Sequence, residues 1–233
     1  MKEINKIITE LTELANNKQA EILQRFFKTG KGEYGEGDIF LGIKVPLQRK
    51  LVKKYPNLPL KEVLKLLGSK VHEHRLVGLL ILVNQYQRAD MAERDEIYQL
   101  YLNNTININN WDLVDLTAPN IVGQHLLDKR RQILYQLARS KNIWERRIAI
   151  LATLAFIRNN DFADTLKIAN ILFTDDHDLI HKGVGWMLRE VGKRDLATEE
   201  RFLMKHYRKM PRTMLRYAIE KLPEKKRQFY LKK

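Results

Sequence analysis

Five positions of related chemistry recur along the chain at nearly constant intervals, and this period constrains the fold more than any other feature. Arg75, Trp111, Arg147, Lys182 and Arg216 stand 36, 36, 35 and 34 residues apart. Each lies near the start of a segment with helical apolar spacing, as in "HRLVGLLIL", "ERRIAILATL" and "HKGVGWMLREV". A repeat of about 35 residues built from helix pairs is the pattern of an α-solenoid, whose units bury their apolar faces only against their neighbours. An irregular bundle of helices of similar length is the competing reading. The matched chemistry at the repeated positions favours the solenoid.

The rest of the chain agrees with an all-α fold. Ile4, Ile7, Ile8, Leu11 and Leu14 form one helical stripe, and Val63, Leu64, Leu66 and Leu67 mark another helix, opened by Pro59 and closed by Gly68. Further helices are expected from His72 to Tyr86 and over 90–103, 111–118, 130–139, 142–158, 161–173, 177–193, 197–208, 211–221 and 223–232. The connections are short, which makes successive helices antiparallel neighbours in a single domain over 1–233. The segment 28–46 interrupts this pattern and holds five of the chain's 11 glycines. It lacks the ending of a phosphate-binding loop and no strand precedes it. Its polarity predicts an exposed loop over about 29–42, after which Pro46 starts a helix to residue 54.

The charge balance points to a polyanion. The 42 Lys and Arg against 28 Asp and Glu leave a formal net charge of +14, which suits a nucleic acid, an anionic membrane surface or another acidic partner. Apolar residues at 44% are enough for a substantial core. Cysteine is absent, which excludes disulfides, thiol nucleophiles, iron–sulfur clusters and the usual zinc sites. No 18-residue apolar run appears and the amphipathic N-terminus does not look like a signal peptide, so a cytoplasmic, nucleoid-associated location is expected. In helix 177–193, Val184, Met187, Leu188 and Val191 form a core stripe. Lys182, Trp186, Arg189 and Lys193 form a second, cationic stripe with one aromatic in it. Repeated along a curved stack, such stripes would make a concave basic groove for phosphate.

An acidic motif in this basic chain carries the chemistry. In "NNWDLVD", Asn110 is a suitable N-cap, and Pro119 is expected to limit the helix to about two turns. Asp112 then lies in the first turn, where a carboxylate favours the helix dipole by about 0.3–1 kcal/mol. Asp115 lies four residues after Trp111, on the same face, and too far along to be a cap. It is either paired with a groove arginine or a carboxylate kept ionised by neighbouring positive charge. The second option fits cleavage of an N-glycosidic bond, because an oxocarbenium-like transition state is stabilised by a nearby carboxylate. Trp111 and Trp186 could embrace a positively charged base or sugar, and Arg147 could hold the adjacent phosphate. Ordinary helix packing is the competing explanation for each tryptophan. His72 and His74, two apart, fall on different faces of a helix and make a metal site improbable; they are read as surface residues or groove donors. The tail "PEKKRQFYLKK" reads as a basic amphipathic helix that caps the stack or meets phosphate.

The motifs "NNWDLVDLTAP", "NIWERRIAIL", "KGVGWMLREVGKRD" and "FLGIKVPLQRK", in this order, resemble the AlkD-like family of DNA alkylation repair proteins over about residues 1–222. The resemblance implies a right-handed solenoid of HEAT-like repeats. It also implies a glycosylase that excises cationic N3- or N7-alkylated purines from duplex DNA as a monomer, without metal or other cofactor and without a membrane. Carried onto this sequence, the essential carboxylate falls on Asp115, the cleft aromatics on Trp111 and Trp186, and the motif arginine on Arg147. Lys182, Arg189, Lys193 and Arg216 are expected as further phosphate contacts. One departure stands out. In the best-known active members a short helix with an aromatic residue precedes "FLGI" and contacts DNA, whereas here the loop "TGKGEYGEGD" takes its place, with Tyr34 or Phe40 as possible substitutes. Relatives altered there resemble DNA-binding proteins without excision activity. That keeps open a non-catalytic HEAT-repeat protein binding structured or branched DNA, or an acidic protein partner.

Overall fold

The structure, a computed structural model, describes residues 2–232. Among these residues it is helical, and the extended pairing is limited to an isolated parallel bridge between Ile39 and Val71. The chain divides into two compact units, Met1–Thr117 and Ala118–Lys233.

The first unit contains α1 (Glu3–Glu13), α2 (Asn17–Phe26), α3 (Val45–Val52), α4 (Leu60–Leu67), α5 (His72–Arg88), α6 (Met91–Asn103) and α7 (Trp111–Thr117). Its centre is α5, where Leu76, Val77, Leu79, Ile81 and Leu82 are no more than 1% exposed. A helix that is apolar on all sides must be covered on all sides, and α1, α3, α4, α6 and α7 all pack on it. Asp90 and Glu93 form a capping box at the start of α6, satisfying both backbone amides there.

The second unit contains α8 (Gln132–Leu137), α9 (Ile143–Ala152), α10 (Leu154–Arg158), α11 (Ala163–Ile171), α12 (Asp178–Arg194), α13 (Leu196–His206), α14 (Arg212–Ala218) and α15 (Glu224–Leu231). Here α12 is central, packed by α9, α11, α13 and α14. Val184, Met187, Leu188 and Val191 are fully buried, as their spacing predicts. The basic tail forms α15, whose Tyr230 is buried edge-on against Tyr207 with ring centroids 5.4 Å apart.

Two interruptions differ from the sequence-based expectation. Pro119 does not end the helical path: residues Pro119–Gly123 form a π-helical turn, with the Gly123 amide donating to the Ala118 carbonyl at 2.9 Å. Proline has no amide hydrogen and its ring crowds the preceding turn, so the helix widens instead of stopping. Gly123 is required there, since a Cβ would collide with the Ala152 carbonyl and with Ala155. The expected helix 142–158 breaks at Thr153, whose hydroxyl donates to the Ile150 carbonyl at 2.7 Å.

The glycine-rich loop is exposed only in part. Residues 28–37 are largely at the surface, but Asp38, Phe40 and Ile43 are buried. Glu73, itself 1% exposed, explains the difference. Its carboxylate accepts the backbone amides of Leu41 (3.0 Å), Gly42 (2.8 Å) and Ile43 (3.1 Å). Gly42 has φ +84° and sits so close to the start of α2 that a Cβ would collide with the Asn16 carbonyl and the Ala20 amide. Polarity alone misjudged this stretch because a buried acid supplies the partners its backbone needs.

Candidate functional site

The short helix α7 presents its two aspartates differently. Asp112, Leu113, Val114 and Thr117 are buried, whereas Trp111, Asp115 and Leu116 are half-buried and form its accessible side. Asn110, fully buried, begins the helix: its side-chain oxygen accepts the Trp111 amide at 2.8 Å and its carbonyl accepts the Val114 amide at 3.2 Å. Trp111 and Asp115, one turn apart, therefore share a face that solvent can reach.

Asp112 does more than favour the helix dipole. Its Oδ1 accepts the Leu113 amide at 2.8 Å, and its Oδ2 lies 2.8 Å from Nε2 of His72. The other ring nitrogen of His72 lies 3.3 Å from Asp38, whose second oxygen accepts Nη2 of Arg75 at 2.7 Å. His72 is 2% exposed and Arg75 3% exposed, so the surface role expected for His72 is incorrect, and Arg75 also faces inward. Burial alone would favour the neutral imidazole. The charges and hydrogen bonds of Asp112 and Asp38 outweigh it and push the pKa up to about 9. Asp38 is held below its ordinary value: burial opposes this, but the hydrogen bond from His72 and the charge of Arg75 prevail. His74 is half-buried, with Nδ1 2.9 Å from the Ser69 hydroxyl.

The same histidine belongs to a cluster of rings, and it lies tilted against Phe27 (5.2 Å between centroids, 34°). His72 stacks on Phe40 (4.4 Å between centroids, 21°), Phe40 on Phe27 (5.0 Å, 15°), and Phe27 on Trp111 (5.1 Å, 21°). Phe26 meets Trp111 edge-on at 5.9 Å and is itself 60% exposed. Trp111 thus has a packing role through one face of its indole while remaining partly accessible. Phe40 is 6% exposed within this cluster, so it does not offer the surface contact considered for it.

The far end of α7 is also fixed. The Thr117 hydroxyl donates to the Leu113 carbonyl and lies 2.9 Å from the Tyr101 hydroxyl. The proton of Thr117 is thereby used, and Tyr101 is the donor between them. Tyr101 is fully buried, and burial, with the Asp115 charge adding, raises its pKa well above the ordinary phenol value. It is neutral and keeps its proton.

In the second unit, Lys182, Trp186, Arg189 and Lys193 run along one half-buried to exposed side of α12, as their spacing predicts. Each cation has a carboxylate nearby. Lys182 pairs with Asp178 (2.6 Å), Arg189 with Glu220, and Lys193 with Glu190 (2.6 Å). The Trp186 indole donates to the same Glu190 at 3.0 Å. Arg147 is 4% exposed on α9 and donates to the Leu179 carbonyl at the start of α12. Arg216 is exposed on α14.

A family model for DNA alkylation repair enzymes matches residues 7–222. The chain belongs to the DNA alkylation repair enzyme family. It is the family to which the four sequence motifs pointed. A solved structure described as a predicted DNA alkylation repair enzyme from Enterococcus faecalis superposes with a TM-score of 0.70. The match spans 90% of this chain and 97% of that one, at 18% identity, so the likeness speaks for the fold alone. Among curated proteins none matches the chain.

In this member of the family, several residues that hold the loop and α7 in the first unit, or Trp186 in the second, were not evident as such in the sequence. Asp38 lies in the loop, His72 and Glu73 on α5, Tyr101 on α6 and Glu190 on α12. Glu190 alone had a local signal, being four residues after Trp186 and three before Lys193. Among the described residues, no group of three or more His, Asp or Glu side chains could hold a metal ion, and no helix is long and apolar enough to cross a membrane.

Proposed function

We propose that the protein is a DNA glycosylase that hydrolyses the N-glycosidic bond of positively charged N3- or N7-alkylated purines in duplex DNA, working as a monomer without a cofactor. One observation carries this reading: of the two aspartates of α7, Asp112 is buried against His72, while Asp115 is on the accessible side with Trp111. Family membership supplies the DNA repair context. The recurrence of α5, α7, α9, α12 and α14 at the sequence period supports HEAT-like repeats; the right-handed solenoid with a basic concave face for DNA is what the family resemblance implies.

In this mechanism the C1′–N bond breaks with its electron pair passing to the base. The base loses its positive charge and leaves neutral, so no general acid is required. The Asp115 carboxylate stabilises the oxocarbenium ion that develops at the sugar, and water captures it at C1′ and releases a proton. Trp111 and Trp186 line the lesion, with Lys182, Arg189, Lys193 and Arg216 on phosphate; Arg147, buried on the Leu179 carbonyl, holds the start of α12 and does not take the phosphate role expected for it.

The test is release of methylated purines from alkylated duplex DNA by wild type and Asp115→Asn. The glycosylase releases bases above the spontaneous rate, and Asp115→Asn loses that release while retaining DNA. Wild type that binds DNA but releases nothing would leave the non-catalytic module for structured or branched DNA as the correct reading.

A further inference from the structure

We propose that His72 is the positioning residue for α7: it ties the first turn of that helix and the indole of Trp111 to one buried frame, and so sets the attitude in which Trp111 and Asp115 meet DNA. What α7 does once positioned rests on the glycosylase reading; how α7 is held does not.

Two links that do not depend on each other converge on the ring. The first is polar. Nε2 lies 2.8 Å from Asp112, the residue beside Trp111, and Nδ1 lies 3.3 Å from Asp38 in the loop. Both partners are carboxylates, so both ring nitrogens act as donors, which only the imidazolium can do. The second link is aromatic: His72 stacks on Phe40 and lies tilted against Phe27, which in turn stacks on Phe40 and on Trp111. An imidazolium over the face of Phe40 is attracted by the ring quadrupole. Backbone neighbour and side-chain face of Trp111 are therefore referred to one group, 39 residues earlier in the chain.

The charged groups facing His72 are Asp112 from α7, Asp38 from the loop and Arg75 from its own helix. Its sequence neighbours point elsewhere: Glu73 holds the amides of residues 41–43, and His74 meets Ser69. When His72 loses its proton it can donate to only one of its two carboxylates. The other is left in a buried site without that partner, and α7 or the loop must shift. A displacement of about 1 Å at a reacting centre is enough to cost on the order of 100-fold in rate.

The test uses the full chain labelled with 5-fluorotryptophan at its three tryptophans, with the Trp111 signal assigned through Trp111→Phe. The 19F signal of Trp111 is expected to titrate with His72, at about pH 9 in wild type. The midpoint falls in Asp38→Asn, where one of the two carboxylates that favour the imidazolium is gone. In His72→Gln the signal is displaced at every pH and does not titrate. A Trp111 signal that is the same in wild type and His72→Gln, or that titrates unchanged in that variant, overturns the proposal. If His72→Gln fails to fold, Asp38→Asn carries the test, and an unmoved midpoint overturns the proposal. On methylated DNA, His72→Gln lowers kcat on the order of 100-fold with DNA affinity unchanged; an unchanged kcat overturns it. An inactive wild type would sink the glycosylase reading while leaving the 19F result to decide the positioning role.

Discussion

Nε2 of His72 lies 2.8 Å from Oδ2 of Asp112, with both side chains less than a tenth exposed. The pair distinguishes the two acids of α7 thermodynamically. Asp112→Ala leaves a buried imidazolium short of one partner and is expected to destabilise the fold by about 3–5 kcal/mol. Asp115→Asn, on the accessible side, should cost about 1 kcal/mol or less yet abolish excision. Urea denaturation of both variants beside a base-release assay checks the separation; equal losses of stability would contradict it.

Stability should decline on the alkaline side of neutrality. The pKa of His72 is raised to about 9, so its contribution is complete below the ordinary imidazole value of about 6.5 and is lost as pH rises through 9. Glu199 acts in the same direction. It is 2% exposed, and burial, with the charge of Glu200 adding, raises its carboxyl to about 8. Its neutral form is favoured in the fold, so stability falls as pH rises from about 4.5 through 8. Melting temperatures between pH 5 and 10 should decrease for wild type, with a shallower decrease below pH 8 in Glu199→Gln.

Removing the loop clamp should free the loop before it unfolds the protein. Glu73 holds three consecutive amides, and hydrogen bonds to a charged acceptor contribute about 1.5–3 kcal/mol each. Glu73→Ala is expected to lose several kcal/mol and to expose residues 28–43 to protease under conditions where wild type resists. Limited proteolysis with mass mapping reads this directly.

Glu190 should restrain as well as orient. Its carboxylate accepts from both the Trp186 indole and Lys193. In Glu190→Ala, DNA affinity is expected to rise as a negative charge leaves a cationic helix face, while base release falls as Trp186 loses its partner. A rise in both, measured by fluorescence anisotropy and base release, would rule out the orienting role.

Phosphate contact by Arg216 is open to a salt titration. The residue is exposed, and each phosphate contact contributes about 0.9 to the slope of log K against log salt. Arg216→Ala should reduce that slope by roughly 1. An unchanged slope would place Arg216 away from the backbone.

The readable part of the site was the part set by local spacing. Trp111 and Asp115 fall on one side of α7 because residues four apart always do. The cationic side of α12 followed from the same rule. What spacing could not show was the partner of each group. Glu190, between Trp186 and Lys193, is within local reach of both, but the positive charge of the stripe around it does not single it out. Arg75 and Arg147 look like surface cations in sequence, yet both are buried. Arg75 is drawn inward by Asp38, 37 residues away.

The sequence by itself determined an all-helical chain, the stripes that α1 and α12 bury, the excess of positive charge and, through four motifs, the family. These are properties of composition and of short periods, which a helix converts into faces without reference to the rest of the chain. Only the tertiary structure decided what the two aspartates and the loop do. Asp112 meets a histidine 40 residues away, and that histidine meets Asp38 34 residues away. The loop becomes part of the core because Glu73, some 30 residues on, satisfies its amides. Burial of charge depends on partners brought together by folding, and no period in the sequence records which partners those are.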